Sequence, residues 1–129
     1  MTEANVNLTP AEWSVMECLW ERSPLTGREV AEQMHERCGW SRSTTLTLLS
    51  RMEKKGALRA EAEGNKRQFH PLICREDAAL QETESFIDRI YNGSLSLMVS
   101  AMTRKQSLPQ KEIDELYAIL KELEEKGNG

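Results

Sequence analysis

The sequence has few aromatic residues and no long apolar run. Aromatic side chains make up 5% of the 129 residues, whereas 29% are charged, a balance typical of a small helical protein rather than of a β-sandwich. No apolar run approaches the roughly 20 residues that a helix needs to cross a bilayer, and residues 1–7 are too polar for a signal peptide. We therefore expect a cytoplasmic protein with no membrane partner, built as one small domain or one domain with an appendage.

Cysteine is scarce and badly spaced for a disulfide framework or a zinc site. The three cysteines, Cys18, Cys38 and Cys74, are an odd number and form no C-x-x-C pair. His35-Glu36 lacks the second histidine of an H-E-x-x-H motif, and the sequence has no G-x-S-x-G or G-x-x-x-x-G-K-[ST] motif. We therefore predict no enzymatic activity, no catalytic residue, no metal ion and no cofactor. A redox- or metal-responsive regulator that uses the cysteine thiols is the alternative.

Positive charge is also scarce overall, but it is concentrated in one segment. The net charge is −4, from 17 basic and 21 acidic side chains. Residues 40–75 nevertheless carry eight basic and three acidic side chains, a local net charge of +5, and lie between two acidic flanks. A basic band of this kind suffices to meet the phosphates of nucleic acid.

Two capping boxes mark the starts of the first two helices. Thr9-Pro10-Ala11-Glu12 has a threonine cap, a proline at the first helical position and a glutamate that completes the box. Ser23-Pro24 should end this helix, because the residue before a proline disfavours helical geometry. Thr26-Gly27-Arg28-Glu29 opens the second helix in the same way, and Gly39 is a suitable C-terminal stop.

A third helix is predicted from a cap at Ser41 to a stop at Gly56. The face opposite its apolar residues is rich in hydroxyl groups around Arg51. This composition has poor helix propensity and suits specific contacts better than a solvated surface. In a DNA major groove, Arg51 could address guanine, and threonine methyl groups could contact thymine. The predicted buried face consists of Thr45, Leu48, Leu49 and Met52.

A β-hairpin is predicted after the third helix. Residues 57–61 and 67–72 have strand character, and Glu63-Gly64-Asn65-Lys66 supplies the turn. The fold class is therefore mainly α with a small β-hairpin wing: a winged helix-turn-helix domain over residues 1–74. A winged-helix protein-interaction module without DNA binding is the alternative. The residues predicted to contact double-stranded DNA are Arg42, Ser43, Thr44, Leu46, Thr47, Arg51, Lys54, Lys55, Lys66 and Arg67.

Residues 75–126 are predicted to form a C-terminal helical dimerisation domain. Apolar residues at helical spacing predict helices over 77–91 and 95–102, followed by a heptad-like seam from Ile113, with breaks at Asn92-Gly93 and Ser107-Leu108-Pro109. These helices carry more apolar surface than three short elements can bury among themselves, which predicts a homodimer. The predicted interface consists of Ile87, Ile90, Leu95, Met98, Met102, Ile113, Leu116 and Leu120.

Together these segments resemble the penicillinase repressor family, often called BlaI/MecI, over nearly the whole chain. The resemblance implies a homodimer that binds palindromic operators and represses transcription of genes for β-lactam resistance. It rests on residues 8–13 with Val15-Met16 and Leu19-Trp20, on residues 40–44 with Thr47, Arg51 and residues 54–56, and on residues 86–93 with residues 112–120.

The sequence departs from this family pattern in two places. A sister branch of copper-responsive repressors carries a C-x-C metal motif in its C-terminal part, whereas no cysteine follows Cys74 here. In the penicillinase repressors, proteolysis within the short apolar helix relieves repression, so the resemblance implies a sensor protease as a partner. The matching stretch near Ala101-Met102 lacks the Asn-Phe pair associated with that cut. Proteolysis, a ligand and thiol chemistry all stay open as the signal.

Overall fold

A computed structural model of the chain describes residues 7–127. Residues 1–6, which contribute to the expectation that there is no signal peptide, lie outside the described residues. The chain divides into two compact units, Met1–Ser85 and Phe86–Gly129. The predicted division after residue 74 falls inside the first unit and stays a prediction.

The predicted capping boxes start the first two helices. The Thr9 hydroxyl accepts a hydrogen bond from the Glu12 amide at 3.1 Å, and the Glu12 carboxylate accepts one from the Thr9 amide at 2.9 Å. The same reciprocal pair joins Thr26 and Glu29, at 3.1 and 2.8 Å. Each box satisfies two amides that the helix itself leaves without partners. The three helices that follow one another here are α1 (Pro10–Glu21), α2 (Gly27–Cys38) and α3 (Arg42–Lys55).

Glycines end α2 and α3 where the sequence predicts them. Gly39 has φ 72° and Gly56 has φ 89°, left-handed values that a residue without a Cβ adopts at little cost. Ser41 caps α3 by accepting a hydrogen bond from the Thr44 amide at 3.2 Å. The predicted buried face of α3 is confirmed, since all of its members are buried: Thr45, Leu48, Leu49 and Met52.

The predicted hairpin is confirmed, and a third short strand joins it. Strands β2 (Leu58–Glu63) and β3 (Lys66–Pro71) pair antiparallel, with Glu63 opposite Lys66 at the hairpin tip. Strand β1 (Leu25–Thr26) pairs with the other edge of β3, which gives the sheet order β1-β3-β2. We call the β2–β3 hairpin the wing. Because β1 immediately precedes α2, the sheet ties the start of α2 to the wing.

A single core lies between the three helices and the sheet. The indole of Trp20 donates a hydrogen bond to the carbonyl of Ile73 at 2.9 Å, so the chain that leaves β3 is fastened to α1. Burying each large apolar side chain stabilises the fold by about 1.5–3 kcal/mol. The largest fully buried apolar side chains are Met16, Leu19, Met34, Leu49, Met52 and Leu58.

Helices are the regular elements of the second unit within its described residues, and short turns join them. Asn92, with φ 53°, and Gly93, with φ 82°, form the predicted break after residue 91. None of the described side chains of this unit is buried, and no helix within residues 7–127 is long and apolar enough to cross a membrane. The helices are α4 (Arg75–Tyr91), which begins in the first unit, α5 (Leu95–Thr103) and α6 (Gln110–Gly127).

Candidate nucleic-acid interface

The exposed surface of α3 divides into three stripes. Successive residues of an α-helix are rotated by about 100°, and the positions opposite the buried face form what we call the central stripe: Ser43, Thr47, Ser50 and Lys54. One side, the wing flank, carries Arg42, Leu46 and Glu53. The other side, the α1 flank, carries Thr44, Arg51 and Lys55. Every α3 residue predicted to contact DNA therefore lies outside the buried face of the helix.

A groove of about 480 Å³ lies between the wing flank, the first turn of α2 and the tip of the wing. Gly27 lets the start of α2 lie close to Leu46 in this groove, because a Cβ at this position would lie 3.2 Å from the Cδ2 of Leu46. We call it the wing groove. Its charged lining residues are all basic: Arg28, Arg42, Lys66 and Arg67. The structure thus brings the predicted contacts of α3 and of the wing to one surface.

The basic side chains of the first unit fall into two groups according to their partners. Seven of the eleven Lys and Arg side chains among its described residues form a salt bridge with a carboxylate. The other four have neither a salt bridge nor a hydrogen bond from the side chain within the described residues: Arg42, Arg51, Lys54 and Lys66. All four belong to the predicted DNA-contact set, and their charges are available to an external anion.

Lys55 is the first predicted contact that already has an internal partner. Its Nζ lies 2.7 Å from the Oε1 of Glu12 and 2.7 Å from the carbonyl oxygen of Asn7. The Glu12 side chain is fully buried. Burial raises the pKa of Glu12, whereas hydrogen bonds from Lys55 and from the Thr9 amide lower it. The lowering effects together are larger than the effect of burial, so the net shift of the pKa is downward. Lys55 therefore joins the end of α3 to the start of α1, a role that competes with its predicted contact to phosphate.

Arg67 is the second predicted contact with an internal partner. Its Nη2 donates to both carboxylate oxygens of Glu53, at 3.0 and 3.1 Å. Its guanidinium carbon lies 5.7 Å from the centroid of the Phe69 ring, within the range of a cation–π contact. The side chain fastens the wing to α3 in the free protein.

Three residues that line the wing groove are not among the predicted DNA contacts: Arg28 in the first turn of α2, Ser50 and Asn65. The side chain of Arg28 is 78% exposed, and its salt bridge to Glu32 is long, at 3.6 Å. Ser50 on the central stripe and Asn65 at the wing tip also line the wing groove. The capping box at Thr26 was the available signal, because the amides and dipole at a helix N-terminus attract phosphate.

The cysteines do not form a cluster. Cys18 is buried, and burial raises the pKa of its thiol, which disfavours the reactive thiolate. Cys38 and Cys74 are exposed. Within residues 7–127, no group of three or more His, Cys, Asp or Glu side chains is arranged to hold a metal ion. The described residues thus add no support for the metal-responsive alternative.

The predicted dimer residues all remain accessible in a single chain. Leu95, Met102 and Leu120 are more than half exposed, at 56%, 61% and 54%, although each is a large apolar side chain. The other predicted interface residues are exposed, as are Ile90 and Leu116, or half-buried, as are Ile87, Met98 and Ile113.

A sequence model of the penicillinase repressor family matches residues 8–122. The chain belongs to the penicillinase repressor family. It is 36% identical to the penicillinase repressor of Bacillus licheniformis over 115 residues, which cover 89% of this chain and 90% of that protein. It is 28% identical to the methicillin resistance regulatory protein MecI of Mammaliicoccus sciuri over 93% of this chain and 98% of that protein. The resemblance seen in the sequence is confirmed, and so is the expectation of a non-enzyme, since this is a family of transcriptional repressors.

Two solved structures of this family share the fold of the first unit. The solution structure of the DNA-binding domain of the repressor BlaI superposes with a TM-score of 0.53 at 32% identity, covering 60% of this chain and 93% of that domain. The monomeric form of Bacillus licheniformis BlaI, in complex with the blaP half-operator, superposes with a TM-score of 0.52 over 59% of this chain and 93% of that one. The predicted winged helix-turn-helix fold is confirmed.

Proposed function

We propose that this chain is a transcriptional repressor that binds palindromic operator DNA as a homodimer. The observation that carries the proposal is the position of the four basic side chains that have no salt bridge or hydrogen bond within the described residues, all on the exposed surface of α3 or at the wing tip. Cations on one face that are not neutralised by the protein itself suit the phosphates of a duplex. The related BlaI monomer, whose structure is that of a complex with a half-operator, supports the same role.

The roles of these side chains follow from their places on α3 and the wing. The central stripe and Arg51 enter the major groove, where Arg51 donates to guanine and Thr47 contacts base edges or a thymine methyl group. Arg42 and Lys54, near the two ends of α3, bind phosphates and fix the position of the helix. Lys66 at the wing tip binds the flanking backbone.

The second unit is the part that makes the dimer. Its described side chains include no buried one, and α6 alone exposes Leu116, Tyr117, Ile119, Leu120 and Leu123. Apolar surface of this extent on a small helical unit marks an interaction site, and a second copy is the partner that two-fold operators require. Covering these residues would give the second unit the core that its described residues do not form in the single chain.

Binding measurements on the full chain test the proposal. Duplexes that the wild-type protein selects from a random pool should contain two half-sites about one helical turn, or a multiple of it, apart. The logarithm of the binding constant should fall linearly with the logarithm of the salt concentration, because bound cations displace counterions. No preference for any duplex, together with no salt dependence, would exclude specific operator binding and favour a protein-interaction module.

We propose that β-lactams are the inducing signal and that a sensor protease relieves repression by cutting the dimerisation part. The relatives named for penicillinase and methicillin resistance support the choice of signal. The proposed cleavage site lies in α5. Leu95, Leu97 and Met102 are exposed there, and the break at Asn92-Gly93 precedes this helix. Immunoblots of source cells before and after β-lactam exposure should show a fragment of about 100 residues, since α5 spans residues 95–103. Induced target genes with an intact repressor would exclude proteolysis.

A further inference from the structure

Glu53 is the acidic residue of α3, and the proposed function does not use it. It lies on the wing flank, where it forms the salt bridge with Arg67, and its side chain is 34% exposed. A carboxylate on a helix that meets phosphates repels them unless a cation neutralises it. Glu53 at this position should therefore affect the binding of DNA. Its only salt-bridge partner among the described residues is Arg67.

The side chain of Arg67 is held at two points. The hydrogen bonds from Nη2 to both carboxylate oxygens of Glu53 hold one nitrogen of the guanidinium, and the guanidinium carbon lies 5.7 Å from the centroid of the Phe69 ring. Phe69 itself is 6% exposed and lies opposite Leu25 of β1 and Ala60 of β2 in the sheet, so the ring is a fixed support. Lys66, the neighbouring residue, has no hydrogen bond or salt bridge within the described residues.

We propose that Glu53 is a specificity-determining residue that keeps Arg67 from binding phosphate, so that the repressor binds non-operator DNA more weakly. This inference rests on the proposed function. Non-specific binding comes almost entirely from contacts between cations and phosphates. An arginine that is paired within the protein adds nothing to that binding, whereas contacts of α3 with the bases still add to operator binding. The pairing of Arg67 with Glu53 thus increases the ratio between the affinity for the operator and the affinity for other DNA.

Salt titrations of binding to a random-sequence duplex test this role. Glu53→Gln should free Arg67 and add one phosphate contact per protomer, which steepens the slope of log K against log salt by about 0.9 per protomer, or about 1.8 per dimer. Over a fourfold decrease in salt, that change corresponds to about a tenfold larger gain in affinity than the wild type shows. Affinity for the duplex selected by the wild type should rise less, because base contacts fix the register of α3 there and limit the phosphates within reach of Arg67.

Arg67→Ala is the matched variant, with Lys66→Ala as the reference. Lys66→Ala lowers the salt slope by about 0.9 per protomer, whereas Arg67→Ala is compared in the Glu53→Gln background, because alone it leaves the Glu53 carboxylate without its cation. In the double variant Glu53→Gln/Arg67→Ala, the slope should return to the wild-type value. A steeper slope that persists in the double variant would assign the effect to direct repulsion by Glu53 and overturn the proposal.

Two further outcomes separate this inference from the function on which it rests. A double variant Glu53→Gln/Arg67→Ala whose slope falls below the wild-type value by as much as that of Lys66→Ala would show that Arg67 binds phosphate in the wild type, and only the role of Glu53 would fail. Wild-type protein without salt-dependent binding to any duplex would instead overturn the proposed function. Glu53→Ala, which removes the carboxylate and its volume, must give the same slope as Glu53→Gln, and circular dichroism of each variant checks that the fold is retained.

Discussion

Lys54 and Lys55 are adjacent in the sequence, yet we expect their replacement by methionine to have opposite consequences. Lys55 is bonded to the buried carboxylate of Glu12, and the second oxygen of that carboxylate has no hydrogen-bond partner among the described residues. Lys54 is exposed, with no salt bridge among the described residues. Lys55→Met therefore leaves a buried charge with one partner fewer, whereas Lys54→Met removes only an external charge.

The expected loss of stability in Lys55→Met is large. Breaking a buried ion pair by removing one partner costs about 3–5 kcal/mol. The Lys55 side chain is 30% exposed, so water can reach part of the vacated site, and we expect a value near the lower end, about 3 kcal/mol. With a denaturant slope of about 1–3 kcal/mol per molar urea, the midpoint of unfolding should fall by about 1–3 M. Lys54→Met should shift stability by less than about 0.5 kcal/mol while weakening DNA binding.

The pH dependence of this difference has a definite sign. The pKa of Glu12 is lowered in the folded protein, so the pair contributes stability above the ordinary carboxyl pKa of 4.5, and that contribution is lost as the pH falls through the lowered value. Without Lys55, two of the causes that lower the pKa of Glu12 are lost while burial still raises it, so the carboxyl group becomes neutral more easily than in the wild type. The gap in stability between wild type and Lys55→Met should therefore narrow on acidification below about pH 4.5.

Urea unfolding at fixed protein concentration, followed by circular dichroism, measures these differences, with Lys54→Met as the control. Glu12→Gln/Lys55→Met, which removes both charges, should recover part of the lost stability. The reasoning would be refuted by a Lys55→Met protein that unfolds at the wild-type urea concentration and loses as much DNA affinity as Lys54→Met. Lys55 would then be a phosphate contact, and its bond to Glu12 would contribute little.

Two further predictions concern readout and assembly. Arg51→Ala should cost about 1–3 kcal/mol of operator affinity and relax the preference at one base position, whereas Lys66→Ala should weaken binding to all duplexes about equally; selection from a random pool separates the two, and identical selected sites would contradict the division. Leu120→Asp should place a charge in the apolar seam of α6 and convert the dimer to monomers in sedimentation velocity, while the exposed neighbour Lys121→Asp should not. An unchanged dimer with Leu120→Asp would place the interface elsewhere.

The helix boundaries could be predicted because their causes are local. Each capping box places its two partners three residues apart, and the glycine stops at Gly39 and Gly56 need only their own backbone conformation. The faces of α3 follow from the helical period and the positions of its apolar residues. Strand β1 could not be predicted in this way, because it has two residues and exists only through pairing of Leu25 with Phe69.

The partners of the charged side chains could not be predicted from sequence patterns. Lys55 and Glu12 are 43 residues apart, and Arg67 and Glu53 are 14 residues apart. Composition identifies all of these side chains as charged but does not indicate which ones face each other after folding. The position of Arg28 beside the wing groove likewise depends on the packing of α2 against α3.

Pairing within the protein changes the number of phosphate contacts that we expect, and the salt dependence of operator binding reports that number. The sequence suggests five basic phosphate contacts in each chain: Arg42, Lys54, Lys55, Lys66 and Arg67. Three of them have no partner among residues 7–127, since Lys55 and Arg67 bind carboxylates. At about 0.9 per contact, a dimer with three per chain should have a slope of log K against log salt of about −5, compared with about −9 for five. Fluorescence anisotropy across salt concentrations distinguishes these values, and a slope near −9 would mean that both internal ion pairs open when the protein binds DNA.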